Sequence, residues 1–371
     1  MPDFLKIPYM LFRGGTSKGP CFDWKYFPED AYARDQLLLK IMGSPHPIQI
    51  DGIGGGHDLA NKICLVRPST KKNVDIEYLL CQNHANSLNI ETDIDCGNML
   101  AAVAAFALEM NFVVIKSDET QLKIWSHNSN SIIEAILPTP NGKLNYFGNT
   151  SIDGVRGSAA SLQLSFLNPG GSTLGHVLPT GHAIDTIENI PVSCVDISMP
   201  MVISAAEYFD ISGYESKQEL DSNIAFMQKL ENIRKKAALK MGLGDVFQKT
   251  CPKICLINKP KQDGNISARY FIAPFENNCH PSFAITGAMC LAGSYFIAGT
   301  LCNNFFQVNE ENHENDKSKN IIIEHPCGKI QVSVTLNNIN KQIEKISYIR
   351  TTRLLSSGIV FISPEIETKE R

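Results

Sequence analysis

The chain has no long hydrophobic run, no basic field and no paired cysteine motif, and each absence excludes a class of function. Its longest apolar stretches, such as Ala101 to Leu108, fall far short of the ~20 residues that span a bilayer. A formal net charge of −4 leaves no large surface built to hold nucleic acid or an anionic membrane. The nine histidines are dispersed, HExxH is absent, and Cys251 to Cys255 is a CxxxC without a partner pair, so no metal is expected. No GxSxG elbow occurs, which removes that type of hydrolase. The run Gly52-Ile53-Gly54-Gly55-Gly56 places His57 where a dinucleotide fingerprint needs its third glycine. Arg13-Gly14-Gly15-Thr16-Ser17-Lys18-Gly19 lacks the residue order of a P-loop. NAD and ATP are therefore discounted, and no cofactor is expected.

What is present describes a globular enzyme-sized protein. The chain has 371 residues, 43% hydrophobic and 19% charged, too long for one ordinary core, so two domains are expected. Eleven cysteines, an odd number scattered along the whole length, suit a reducing compartment with most thiols buried. The N-terminal residues show no apolar run or cleavage signature. The expectation is a soluble, cytoplasmic protein.

Periodicity predicts strands at Ile7–Phe12, Lys62–Val66, Val74–Cys81, Val113–Lys116, Leu122–Ser126 and Ile132–Leu137. A short helix is expected over Arg34–Met42, stopped at Gly43-Ser44-Pro45. Asp95-Cys96-Gly97-Asn98 opens an Ala-rich helix running to about Met110. In the second half, strands are expected at Val192–Ile197, Pro200–Ser204, Ile254–Asn258, Ile266–Phe271, Gln331–Leu336 and Gly358–Ile362. Asn223–Met241 reads as an amphipathic helix ended by Gly242, and Asn309–Asn320 as a surface loop. A second Ala/Gly-rich segment follows Ile285-Thr286-Gly287-Ala288. The halves thus look like a rough duplication, several strands around one Ala-rich helix in each; two unrelated α+β domains is the plainer alternative.

Two helix N-termini make a good anion trap, because their N–H groups and dipoles favour carboxylates. The Arg13–Lys18 loop adds two cations, two hydroxyls and two glycines, a set suited to a ligand with two or three carboxylates. Lys62 stands at the start of an apolar strand just after the glycine loop. Most lysines are solvated surface charges, but an ammonium drawn into a cleft becomes a competent base, a shift that a carboxylate-rich substrate opposes. Cys96 at a helix N-terminus is placed to become a thiolate, unless it merely packs. Asp95 beside it either opposes that or caps the helix.

Phe12-Arg13-Gly14-Gly15-Thr16-Ser17-Lys18-Gly19 resembles the opening signature of the PrpF family. So do Met42-Gly43-Ser44-Pro45, Gln49 to Gly55, Lys62, Cys96-Gly97-Asn98, Pro179-Thr180-Gly181 and Cys194-Val195-Asp196. Further matches are Cys279-His280-Pro281-Ser282, Thr286-Gly287-Ala288, Glu324 to Gly328 and Arg350-Thr351-Thr352-Arg353-Leu354. The resemblance spans nearly the whole chain in order. Within the family, the stretches around Cys194 and Cys279 are most similar to the 4-oxalomesaconate tautomerase branch. The resemblance implies an α+β fold of two similar diaminopimelate-epimerase-like domains, each a mostly antiparallel sheet wrapped around a central helix, with the active site in the cleft between them. The domains are expected at 1–183, with 349–371 returning to it, and at 184–348.

The family's lysine maps onto Lys62 and its cysteine onto Cys96, the expected catalytic pair. The substrate-binding candidates are Arg13, Gly15, Thr16, Ser17, Gly97, Asn98, Met99, His280, Ser282, Thr286, Gly287 and Ala288. Racemases of this fold carry a second cysteine where this chain has Thr286-Gly287-Ala288, so a two-base racemase is disfavoured and a one-faced 1,3-allylic proton shift fits instead. The implied activity is a cofactor-independent isomerase or tautomerase of an unsaturated di- or tricarboxylate. 4-Oxalomesaconate leads, with aconitate or methylitaconate isomerisation, or a non-catalytic helper of a carboxylate-metabolising enzyme, as alternatives. The expected partner is that small molecule, with a homodimer as the candidate assembly.

Overall fold

The structure is a computed structural model, and it describes residues 4–92, 95–247, 249–272, 279–306, 318–337 and 339–363. The chain folds as two compact units, 1–164 with 350–371, and 165–349. The first division falls at 164/165, against the 183/184 expected from sequence.

The first unit holds β1 (Leu5–Gly14), β2 (Ser17–Asp23), α1 (Ala31–Met42), β3 (Lys62–Pro68), β4 (Ile76–Asn83), β5 (Ile90–Glu91), α2 (Gly97–Glu109), β6 (Glu119–Ser126) and β7 (Ile132–Pro138). β8 (Ser161–Leu167) carries the chain into the second unit. That unit holds β9 (Asp185–Ile187), β10 (Ile190–Asp196), β11 (Pro200–Ala205), α3 (Lys217–Ser222), α4 (Ile224–Lys240), β12 (Lys253–Asn258), β13 (Ile266–Phe271), α5 (Ile285–Ser294), α6 (Leu301–Phe306), β14 (Ser318–His325) and β15 (Gly328–Leu336). β16 (Ile343–Ile362) returns to the first unit, where it pairs antiparallel with β1 from Leu5↔Ile362 to Gly14↔Thr352.

The duplication is real at the level of topology. In the first unit three antiparallel pairs, β1/β2, β3/β4 and β6/β7, are joined by parallel contacts β2–β3 and β4–β6. In the second, β10/β11, β12/β13 and β14/β15 are joined by parallel contacts β11–β12 and β13–β14. A helix, α1 in the first unit and α4 (after the short α3) in the second, links the first pair to the second, and α2 or α5 (the latter followed by the short α6) links the second to the third.

α2 reads GNMLAAVAAFALE, with apolar side chains around its whole circumference, and all its residues from Met99 to Leu108 are buried. Alanine supplies helix propensity there and lets the surrounding strands approach. β3 is apolar on consecutive residues because both of its faces are covered. Ile63 and Leu65 pack with Leu38, Ile41 and Met42 of α1. Alternation therefore turns Lys62, Cys64 and Val66 to the opposite face, which α2 covers. The same alternation puts Ser17 and Gly19 of β2, and Tyr78 and Gln82 of β4, on the α2 face, since Phe22, Leu79 and Cys81 belong to the α1 side.

Three expectations change. Val113–Lys116 forms bends and irregular chain after α2, not a strand. β16 runs for 20 residues where only Gly358–Ile362 was anticipated. The loop expected at Asn309–Asn320 lies outside the described residues up to 317, and from Ser318 the chain is β14. Among the described residues, no helix is long and apolar enough to cross a membrane.

Candidate active site

In the first unit the candidate residues gather at the N-terminus of α2. Cys96 is the N-cap residue, and no described side chain caps the helix. Asp95 does not act as the cap: its carboxylate accepts hydrogen bonds from Tyr78, from Ser129 and from Ser126 Oγ at 2.7 Å. Burial pushes this carboxyl above the ordinary aspartate range, with the three hydroxyl donors opposing the shift. Asp95 thereby anchors the chain one residue before Cys96. Ser17 Oγ, buried at the start of β2, lies 3.9 Å from Cys96 Sγ.

The Arg13–Ser17 loop wraps the same helix end. Gly15 adopts φ 52°, and a Cβ at Gly14 or Gly15 would run into Asn98, so the two glycines are what let the loop approach α2. Asn98 Nδ2 donates to Thr16 Oγ1 at 2.9 Å, and Arg350 Nε donates to Asn98 Oδ1 at 3.0 Å. Arg13 serves the loop itself: its Nη1 donates to Gly15 O, Thr351 O and Thr351 Oγ1, each at 3.0 Å. Burial, then the neighbouring Arg353 charge, lowers the Arg13 pKa. Leu100 N–H is the first to bond back into the helix, to Cys96 O at 3.2 Å, so the Gly97, Asn98 and Met99 amides make up its first turn.

Lys62 is half-buried on the α2 face, and its Nζ donates to Gln82 Oε1. The glycine loop before it has a structural explanation. Gln49, 1% exposed, donates to Asn83 Oδ1 at 2.7 Å and accepts from Gly56 N at 2.8 Å, while Asn61 Oδ1 accepts from Gly55 N at 2.7 Å. Gly54 lies flat against the Gln49 amide, where a Cβ would not fit. The loop folds around its own polar core and delivers Asn61 and Lys62 into β3.

The second unit presents its own set. Burial lowers the His280 pKa to about 4, so the ring is neutral near pH 7. Nδ1 accepts from Ser282 N at 3.0 Å, which leaves the proton on Nε2. His280 N in turn donates to Tyr270 O at 2.7 Å, and Gly287 of α5 packs on the Tyr270 ring. Ser198 Oγ donates to Thr286 O at 3.1 Å. The Ala288 amide, expected to face a ligand, donates instead to Ala284 O at 2.9 Å, inside the helix. Lys253 begins β12 as Lys62 begins β3, on the α5 face; it is 6% exposed and donates to Ile272 O at 2.8 Å. Among the described residues no three His, Cys, Asp or Glu side chains converge as a metal site.

Gln82, Arg350 and Lys253 were not picked out from sequence. Arg350 lay within a recognised motif, but nothing local told it apart from Arg353. Gln82 and Lys253 are single polar residues at strand ends, a pattern with no intrinsic signal.

Two α+β units, each folding paired strands around an Ala-rich helix, define a diaminopimelate-epimerase-like fold. The structure of a hydroxyproline epimerase from Agrobacterium vitis matches the fold with a TM-score of 0.56 at 11% identity, covering 97% of this chain and 94% of that one. The chain belongs to the PrpF family, whose model, "PrpF protein", matches residues 4–363. It is 39% identical over 357 residues to YbhH of Escherichia coli (strain K12), described as an isomerase without a named substrate, covering 96% of this chain and 99% of that protein. It is 36% identical to the 4-oxalomesaconate tautomerase of Pseudomonas putida, covering 96% of each chain. A crystal structure of methylitaconate-delta-isomerase superposes with a TM-score of 0.84 at 28% identity, covering 97% of this chain and 96% of that one. The protein is an isomerase.

Proposed function

We propose that this isomerase catalyses a 1,3-allylic proton transfer in an unsaturated di- or tricarboxylate, with 4-oxalomesaconate as the leading substrate. The observation that carries the reading is the shared sheet face on which Lys62, Ser17 and the Cys96 end of α2 lie. The anionic groups of the substrate bind the amides of Gly97, Asn98 and Met99, the hydroxyls of Thr16 and Ser17, and the Arg350 cation. The second unit carries neutral donor candidates of its own, His280, Ser282, Thr286 and Gly287.

Lys62 removes a CH proton made acidic by an adjacent carbonyl or carboxylate. The pair of electrons left behind spreads into a dienolate, whose growing negative charge faces the first-turn amides. Lys62, or Cys96 acting as acid, then delivers a proton to the far carbon of the allyl unit. General acid–base chemistry of this kind contributes about 10²–10⁴-fold in rate. A one-faced shuttle agrees with the absence of a thiol at Thr286–Ala288. Methylitaconate isomerisation is the second reading, favoured by the superposition on methylitaconate-delta-isomerase. The buried thiols support a cytoplasmic setting, and exposed Leu355, Ile359 and Phe361 along β16 support a homodimer.

Proton NMR in D2O tests the proposal, with 4-oxalomesaconate, cis- and trans-aconitate and methylitaconate offered to wild type and Lys62→Met. Wild type is expected to isomerise one of them with deuterium uptake, and Lys62→Met, folded by circular dichroism, to lose about 10³-fold or more. A fully active Lys62→Met would remove Lys62 from the mechanism, and no turnover of any panel member would remove the substrate class.

A further inference from the structure

Gln82 is 4% exposed and stands directly opposite Lys62 in the β3–β4 pairing. Its amide nitrogen faces the main-chain carbonyls of Asn83 at 3.0 Å, Asp58 at 3.2 Å and Asn61 at 3.5 Å, which share its two N–H groups. Carbonyls only accept, so the nitrogen end of the amide must face them. The oxygen end is thereby fixed toward Lys62 Nζ, which donates to it.

We propose that Gln82 is the positioning residue for the proton-transferring amine: it holds Lys62 Nζ through one N–H while adding no charge. This rests on Lys62 being the base. An amine that gives one N–H to a fixed acceptor has its rotamer restricted and its lone pair directed away from that acceptor. A glutamate would fill nearly the same space in the same register, with one oxygen facing carbonyls that only accept and the other facing Nζ, where the carboxylate would favour the ammonium and oppose proton abstraction.

The other charges near Lys62 are already engaged. Asp58, on the turn just before β3, lies 2.9 Å from His84 Nδ1. Glu91, opposite Gln82 across β4–β5, lies 3.4 Å from His84 Nε2. Hydrogen bonding to Asp58 and then Glu91 raises the His84 pKa to about 10, so this ring is cationic at neutral pH and draws both carboxylates. β2 presents Gly19 to Lys62, and Lys18 alternates to the α1 face. An uncharged partner at position 82 thus keeps the immediate neighbourhood of Nζ free of a further carboxylate.

The test is the pH dependence of kcat/KM for wild type, Gln82→Glu and Gln82→Met, with Lys62→Met as control and circular dichroism to confirm folding. In Gln82→Glu, the isosteric variant, the acid limb is expected to move to higher pH by about one unit or more, with the plateau KM within about twofold of wild type. Gln82→Met is expected to lose about tenfold or more in kcat with little change in KM, the mark of misplaced chemistry rather than weakened binding. A Gln82→Glu profile that superposes on wild type, together with an unchanged kcat in Gln82→Met, would overturn the assignment while an inactive Lys62→Met leaves the base in place. An active Lys62→Met would instead overturn the base itself, and this inference with it.

Discussion

Arg350 reaches the start of α2 from 252 positions away in the chain and links through Asn98 to Thr16. In the proposed site the guanidinium supplies charge and planar donors to the anion, and only the charge survives replacement by lysine. Arg350→Gln is expected to raise KM for a dicarboxylate about tenfold to a hundredfold with a smaller effect on kcat, and Arg350→Lys to recover part of the loss. Steady-state kinetics of the two variants check this, and an unchanged KM in Arg350→Gln would take Arg350 out of binding. Lys62 and Cys96 stood out in the sequence because each lies beside a recognisable motif. Arg350 and Gln82 did not, because their roles come from partners that only folding brings near.

At the scale of elements, alternation decides the site. Lys62 starts β3 on the face opposite Ile63 and Leu65, and a one-residue slip would turn it to the α1 side. The close approach of β2 to β3 depends on Gly19, where a Cβ would overlap the Lys62 carbonyl. That atom is main chain and cannot swing aside. Gly19→Ala is expected to cost roughly 3 kcal/mol, the upper end of overpacking, and to lower activity by displacing Lys62. A urea midpoint equal to wild type would contradict it. The Ala-rich character of α2 and α5 was visible in sequence, as were most strands, because burial on both faces leaves consecutive apolar residues. Val113–Lys116 has the same local look but pairs with no strand among the described residues, and its apolar residues end half-buried or exposed. Asp95, beside the helix start, went to the hydroxyls of Tyr78, Ser126 and Ser129 rather than to the cap.

At the scale of the molecule, the first unit is completed by the last part of the chain. β16 pairs with β1 along its length, Thr351 O accepts from Gly15 N at 3.0 Å, and Thr352 Oγ1 donates to Arg13 O at 2.9 Å. Residues 350–362 therefore belong to the candidate site as much as the opening signature does. Deletion of 350–371 is expected to leave β1 as an open edge and the Arg13–Ser17 loop without its anchor, giving an insoluble or protease-sensitive and inactive protein. A soluble truncated chain with wild-type protease resistance and activity would refute this. The duplicated arrangement of three strand pairs and two linking helices also sets Lys253 in the place that Lys62 occupies in the first unit.

The sequence by itself determined many of the strands and the two apolar helices, since those follow from local periodicity and helix propensity, but not β2, β8 or β14. It also determined the family, since the motifs recur in order along the chain. Tertiary structure alone decided which polar residues meet. The Gln82 amide is oriented by the carbonyls of Asp58 and Asn61 from the turn before β3 and of Asn83 beside it, Arg350 arrives from the far end of the sequence, and the Asp95 carboxylate is held by the hydroxyls of Tyr78, Ser126 and Ser129. Hydrogen bonds are directional and short-ranged, so their partners are fixed only once the backbone has brought distant segments within about 3 Å of one another.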